Sequence, residues 1–170
     1  YKQLIKCLLI SLLVSACVSS NGAKDSLSKS EEAKLYLRMG VRYLEMGMLK
    51  TAKENLEVAE DIDSNNAAIH NSLGALYERM RLFPKAREQY QIAISLDTEN
   101  AGAKNNYGRF LCERGNYEAA MELLNEALLM PLNNRKWFVY TNIGLCELRK
   151  GNKKLAEGNF RNALQMNKNY

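Results

Sequence analysis

Histidine is nearly absent from this chain: among 170 residues there is one, His70. That excludes most histidine-based acid–base catalysis and any multi-histidine metal site. Proline is almost as rare, with Pro84 and Pro131 alone. Such scarcity, beside 46 % hydrophobic and 25 % charged residues, excludes collagen-like and disordered chains. No glycine-rich phosphate loop, CxxC pair, HExxH or GxSxG occurs. The charge excess is small, 24 Lys plus Arg against 19 Asp plus Glu for a formal net of +5, and the basic residues are dispersed among acidic ones. That pattern argues against nucleic-acid binding. The longest apolar run is shorter than the roughly 20 residues a membrane-spanning helix needs. These absences together point to a packed, non-catalytic protein with no cofactor, metal or small-molecule substrate.

What is present begins with an address. Lys2 and Lys6 give a basic start, Cys7 to Val14 is apolar except for Ser11, and small residues follow. A basic end, a short apolar stretch and small residues make a secretory signal over residues 1–16. Val14-Ser15-Ala16-Cys17 resembles the lipobox of bacterial lipoproteins, in which an aliphatic and two small residues precede an invariant cysteine. The resemblance implies cleavage before Cys17 and acylation of its thiol and new amine, which anchors the protein to a lipid bilayer. Two or more acyl chains hold stably where one alone is marginal. Val18 follows, rather than the Asp that retains lipoproteins in the inner membrane of many Gram-negative bacteria. The expected location is therefore the periplasmic face of the outer membrane. Residues 18–30 are rich in Ser and small polar residues, so 17–32 reads as the lipidated cysteine and a flexible tether. Such a tether spans roughly 20 Å root-mean-square.

Beyond Ala33 the chain repeats itself at a period of 34. Gly40, Gly74 and Gly108 recur at that spacing, each after a large residue, Met39, Leu73 or Tyr107. Small residues follow at Ala52, Ala86 and Ala120, and bulky ones at Leu56, Tyr90 and Leu124. Ala59, Ala93 and Ala127 complete the pattern. A fourth copy, with Gly144, Ala156, Phe160 and Ala163, starts two residues late, after the longer connection 131–136. No alternating strand pattern competes with this periodicity.

The pattern resembles the tetratricopeptide repeat, a helix-turn-helix unit of 34 residues. The resemblance implies an all-α, right-handed solenoid over 33–170, with repeats at 33–66, 67–100, 101–136 and 137–170. Eight helices are expected, at 33–46, 50–63, 67–80, 84–97, 101–114, 118–130, 137–149 and 153–166. Pro84 opens one of them, where its missing N–H costs nothing. Gly47, Gly115 and Gly151 fall in the turns within repeats. A first residue other than Met, and no polar capping helix before Tyr170, lead to the expectation of a fragment with further repeats.

In this repeat family, positions 5, 9 and 12 of the first helix line a concave groove. In the first repeat these are Leu37, Val41 and Leu44, with Met48 one turn on. The other stripe of that helix, Tyr36, Met39, Gly40 and Tyr43, is committed to packing, so the helix is apolar on two faces. Either the free stripe holds an amphipathic helix or peptide, or residues 26–32 fold back to cover it. The next two repeats turn the groove polar with Asn71, Ala75 and Glu78, then Asn105, Arg109 and Cys112. Asn71 and Asn105 either hold a peptide backbone or are solvated. His70, at repeat position 4, reads as a partly buried packing residue. Of the four cysteines, Cys7 leaves with the signal and Cys17 takes lipid. Cys112 and Cys146 remain, on the first helices of adjacent repeats. Neighbouring helix axes lie about 8–10 Å apart, within reach of a bridge, and a disulfide is expected in place of two buried thiols.

The segments Asn105 to Cys112 (NNYGRFLC) and Asn142 to Cys146 (NIGLC) narrow the family. With the lipobox, the lengthened third connection and the cysteine pair, they resemble the type IV pilus biogenesis/stability lipoproteins of the PilF/PilW family. Members are outer-membrane pilotins, six-repeat arrays that promote transport and assembly of the secretin channel. For this chain the resemblance implies about the first four of those repeats and a secretin subunit as protein partner, held at Leu37, Val41 and Leu44. The alternative is a repeat lipoprotein that scaffolds cell-wall or envelope-assembly proteins.

Overall fold

The structure is a computed structural model that describes residues 28–167. The signal segment, Cys17 and the tether up to residue 27 lie outside the described residues. Eight α-helices follow: α1 Lys29–Glu45, α2 Leu49–Ile62, α3 Ala67–Arg79, α4 Phe83–Leu96, α5 Ala101–Glu113, α6 Tyr117–Leu129, α7 Lys136–Arg149 and α8 Lys153–Met166. Among the described residues there is no strand.

The first helix begins earlier than its repeat pattern predicts. Ser28 Oγ accepts from the Glu31 backbone N–H at 3.3 Å, and the Glu31 carboxylate accepts from the Ser28 N–H at 3.0 Å. This reciprocal capping box satisfies two backbone donors that a helix start leaves open. Residues 29–32 are therefore helix, not tether, and they extend α1 rather than folding back over it. Asn66 and Asn100 cap α3 and α5 in the simpler way, accepting from Ala68 N–H and Ala103 N–H.

Each repeat turns between its helices by one geometry. Met48 N–H donates to the Tyr43 carbonyl and Gly47 N–H to that of Leu44. The same pair of bonds recurs at Leu82/Arg81, Asn116/Gly115 and Asn152/Gly151. This is the Schellman motif, which needs a left-handed residue just past the helix end. Gly47, Gly115 and Gly151 supply it with φ of 77°, 80° and 86°. In the second repeat Arg81 takes that place with φ 60°, at a cost of about 1–2 kcal/mol for a residue with a Cβ.

Within a repeat the two helices meet where glycine faces a bulky side chain. A Cβ built on Gly40 would stand 2.6 Å from Leu56 Cγ, on Gly74 2.7 Å from Tyr90 Cδ1, on Gly108 2.8 Å from Leu124 Cγ and on Gly144 2.5 Å from Phe160 Cε1. The 34-residue recurrence is thus a recurrence of one close crossing. Ala52, Ala59, Ala86, Ala93, Ala120 and Ala127 are fully buried beside it. Between repeats, Tyr90 packs on Tyr107 and Phe110 with ring centroids 5.7 Å apart in both pairs, which carries the core from α4 to α5.

Curvature follows from which helices touch. α1 packs on α3, α3 on α5 and α5 on α7, whereas the backbones of successive even-numbered helices nowhere bring Cα atoms within 8 Å among the described residues. The odd-numbered helices therefore close an inner face, and the even-numbered ones spread along the outer face.

Candidate functional site

The odd-numbered helices line the inner face, and its character changes along the array. On α1, Leu37 and Val41 are half-buried and Met48, just past the helix, is 45 % exposed. Leu44, expected on the same free stripe, is only 8 % exposed and belongs to the core. The correction has a physical source: α3 closes against the end of α1, where Arg79 Nη1 donates to the Leu44 carbonyl at 2.9 Å. Leu44 is the floor of the apolar surface rather than part of its rim.

In the middle repeats the groove's polar groups are engaged with one another. Asn106 Nδ2 donates to Asn71 Oδ1 at 3.1 Å, and Asn142 Nδ2 donates to Asn105 Oδ1 at 2.9 Å. In repeat coordinates both are the same rung, from position 6 of one repeat to position 5 of the repeat before. Asn105 is 4 % exposed, and its carbonyl oxygen is spent on Asn142, which makes it first a buried structural amide. Asn71 stays half-buried at the end of this ladder. It borders a cavity of about 380 Å³ that the connection Met130 to Arg135 closes together with Phe138 and Val139.

Further along the inner face lies an ion network. Arg109 reaches back from α5 to α3 with two bonds to the Glu78 carboxylate, at 2.8 and 2.6 Å, and forward to Glu113 at 2.8 Å. Tyr90 Oη donates to the same Glu78 carboxylate at 2.9 Å. Burial, and then the Glu78 charge, holds the Tyr90 phenol well above its ordinary pKa. For Arg109 burial works against the charge, but the hydrogen bonds to Glu78 and its charge, with Tyr90 and Glu113 behind them, outweigh it and raise the pKa. The group stays charged at any working pH.

Cys112 and Cys146 form a disulfide between α5 and α7, with Cα atoms 5.7 Å apart. His70 is buried and spans α3 and α4, its Nε2 at 2.8 Å from the Ser64 carbonyl and its Nδ1 at 2.7 Å from Gln89 Oε1. In the fourth repeat Leu145 and Leu148 are exposed. Cys17 lies outside the described residues. Among the described residues no group of three or more His, Cys, Asp or Glu side chains is placed to hold a metal. No helix among them is long and apolar enough to cross a membrane.

The sequence reading missed the ladder and the ion network, yet both had a signal. Asn71–Asn106 and Asn105–Asn142 are 35 and 37 residues apart, one period plus one once the two-residue insertion is counted. Glu78–Arg109 is 31 apart, one period less about a helical turn. Polar pairs near the repeat length, rather than at helical spacing, mark contacts between adjacent inner helices.

A helix-pair solenoid with such an inner face is a tetratricopeptide-repeat protein, a scaffold whose relatives are protein-interaction modules. No family model matches the chain. Over 164 residues, 95 % of its length, it is 33 % identical to the type IV pilus assembly protein PilF of Pseudomonas aeruginosa. It spans 65 % of that relative's length. The solved structure of Pseudomonas aeruginosa PilF superposes with a TM-score of 0.77 at 33 % identity, covering 84 % of this chain and 64 % of that one. PilW, described as a widely conserved type IV pilus biogenesis factor, superposes with a TM-score of 0.73 at 26 % identity, covering 78 % of this chain and 61 % of PilW. In sequence and in fold the chain is thus similar to the tetratricopeptide-repeat proteins of type IV pilus biogenesis.

Proposed function

We propose that the protein is an outer-membrane pilotin: anchored through acylated Cys17, it binds a subunit of the pilus secretin and promotes its outer-membrane localisation and multimerisation. The mechanism is non-catalytic. Binding covers apolar secretin surface during transit, and the anchor directs the complex to the membrane where oligomers insert.

The observation that carries this reading is the unspent apolar surface of the first repeat. In the middle repeats the ladder amides bond to each other and Arg109 pairs with Glu78 and Glu113, so the groove there is lined by polar groups and offers no comparable apolar stripe. Leu37, Val41 and Met48 carry no charge or side-chain hydrogen bond and stay partly exposed, with Leu37 resting against the core to which Leu44 belongs. A half-exposed apolar stripe on a helix is suited to an amphipathic segment of a protein. The first repeat is also the one nearest Cys17 in sequence, so it is the part of the array held closest to the bilayer.

The test is co-purification of the secretin from detergent-solubilised membranes with the wild-type chain and with Leu37→Ser/Val41→Ser/Met48→Ser. The reading expects at least about a tenfold loss of recovered secretin in the triple variant, equivalent to about 1.4 kcal/mol. Equal recovery would remove the first repeat as the contact. Recovery of cell-wall hydrolases or synthases in place of secretin would favour the envelope-scaffold alternative.

A further inference from the structure

At the turn edge of the second and third repeats, a cleft of about 450 Å³ opens between the ends of α3 and α5. Arg79, Arg81 and Arg114 line it with the Phe83 ring, above Glu78 and Glu113. Both carboxylates are already taken by Arg109. Four guanidinium groups against two carboxylates leave the cleft with two uncompensated positive charges. No ion pair among the described residues includes Arg79, Arg81 or Arg114. Arg114 is nonetheless held in place, its guanidinium carbon 4.1 Å from the centre of the Phe83 ring.

Arg81 adds an independent observation. It occupies the left-handed turn position that glycine fills in the other three repeats. A side chain there is strained by the backbone, and glycine was the unstrained choice. The strained residue is the one that brings an unpaired cation to the cleft.

We propose that this cleft is a docking site for an acidic peptide segment of a partner protein, its carboxylates paired with Arg81 and Arg114. Two features favour a peptide over a free phosphate. The guanidinium groups sit on separate turns along an open trough with an aromatic wall, which matches carboxylates spaced along a chain. The turn amides that would cradle a phosphate are already used: Arg81 N–H and Leu82 N–H donate to the Glu78 and Tyr77 carbonyls, and Gly115 N–H and Asn116 N–H to those of Cys112 and Leu111. This surface is separate from the apolar stripe of α1, and the proposal does not depend on the identity of that stripe's partner.

The experiment is fluorescence anisotropy of a fluorescein-labelled hexaglutamate peptide titrated with the full chain. Saturable binding is expected, lowered at least about tenfold by Arg81→Glu/Arg114→Glu. Lys153→Glu/Lys154→Glu, on the same edge but outside the cleft, should leave it within about threefold. Arg81→Gly separates recognition from folding, because it relieves the backbone strain. Its thermal midpoint should rise while its affinity for hexaglutamate falls. No saturable binding, equal loss in the Lys153/Lys154 variant, or competition by inorganic phosphate at the same concentration as the peptide would each overturn the proposal. So would unchanged affinity in Arg81→Gly and Arg114→Gln that keep wild-type helicity.

Discussion

Cys112 and Cys146 stand 34 residues apart in sequence with their Cα atoms 5.7 Å apart in space, so one covalent bond fastens the third repeat to the fourth. It bridges the inner helices at the one junction where the connection is lengthened and the repeat register slips. A bond closing a loop of that length constrains the unfolded chain by about 3–4 kcal/mol. Cys112→Ser/Cys146→Ser, or full reduction of the wild type, should lower stability by about that much in denaturant titration. A loss confined to a few tenths would mean that packing alone holds the two repeats together.

Two glycines, both in helices, should respond oppositely to alanine. Gly108 faces Leu124 Cγ, 2.8 Å from where a Cβ would sit, whereas a Cβ at Gly158 would meet nothing within 4 Å. Gly108→Ala overpacks a helix crossing and should cost about 1–3 kcal/mol. Gly158→Ala replaces a poor helix former on an open surface and should gain about 0.5–1 kcal/mol. Thermal unfolding of the two variants measures both, and a Gly108 variant as stable as wild type would contradict the close crossing.

The Tyr90 phenol gives stability a dependence on alkaline pH. Its pKa is raised in the folded state, by burial first and by the Glu78 charge second. The folded protein thus binds that proton more tightly than the unfolded chain does. The contribution is complete below the unfolded value of about 10 and is lost as pH climbs above it toward the folded value. Tyr90→Phe keeps the ring and removes the titrating group, so its stability should decline less steeply than that of wild type above about pH 10. Unfolding midpoints between neutral pH and the alkaline limit check this, and parallel profiles would place the phenol outside the buried network.

Much of the fold was legible because one steric event, glycine under a bulky side chain, recurs at a fixed spacing. The start of α1 was not read correctly, although Ser28 and Glu31 spell a capping box. The small polar residues around them carry a tether's composition, and the box lies before the first repeat position. Leu44 was misplaced because its repeat position describes an average repeat. Here α3 closes over it, with the Arg79 guanidinium on its carbonyl. The burial of Asn105 was not legible for a related reason: one sequence shows which residues share a face, but not that Asn142 donates to its carbonyl oxygen from the next repeat. The strained turn at Arg81 was in principle visible, since Gly47, Gly115 and Gly151 flag the position at which it stands.

The apolar stripe of α1 is the centre of the functional account, and secretin assembly is its most direct readout. The measurement is the level of heat-resistant secretin multimers in separated inner and outer membranes. It is made in cells lacking this gene and complemented with either the wild-type chain or Leu37→Ser/Val41→Ser/Met48→Ser. The account predicts that wild type restores outer-membrane multimers while the triple variant, present at equal abundance, leaves them depleted or in the inner membrane. Full restoration by the triple variant, or normal outer-membrane multimers without the gene, would contradict it.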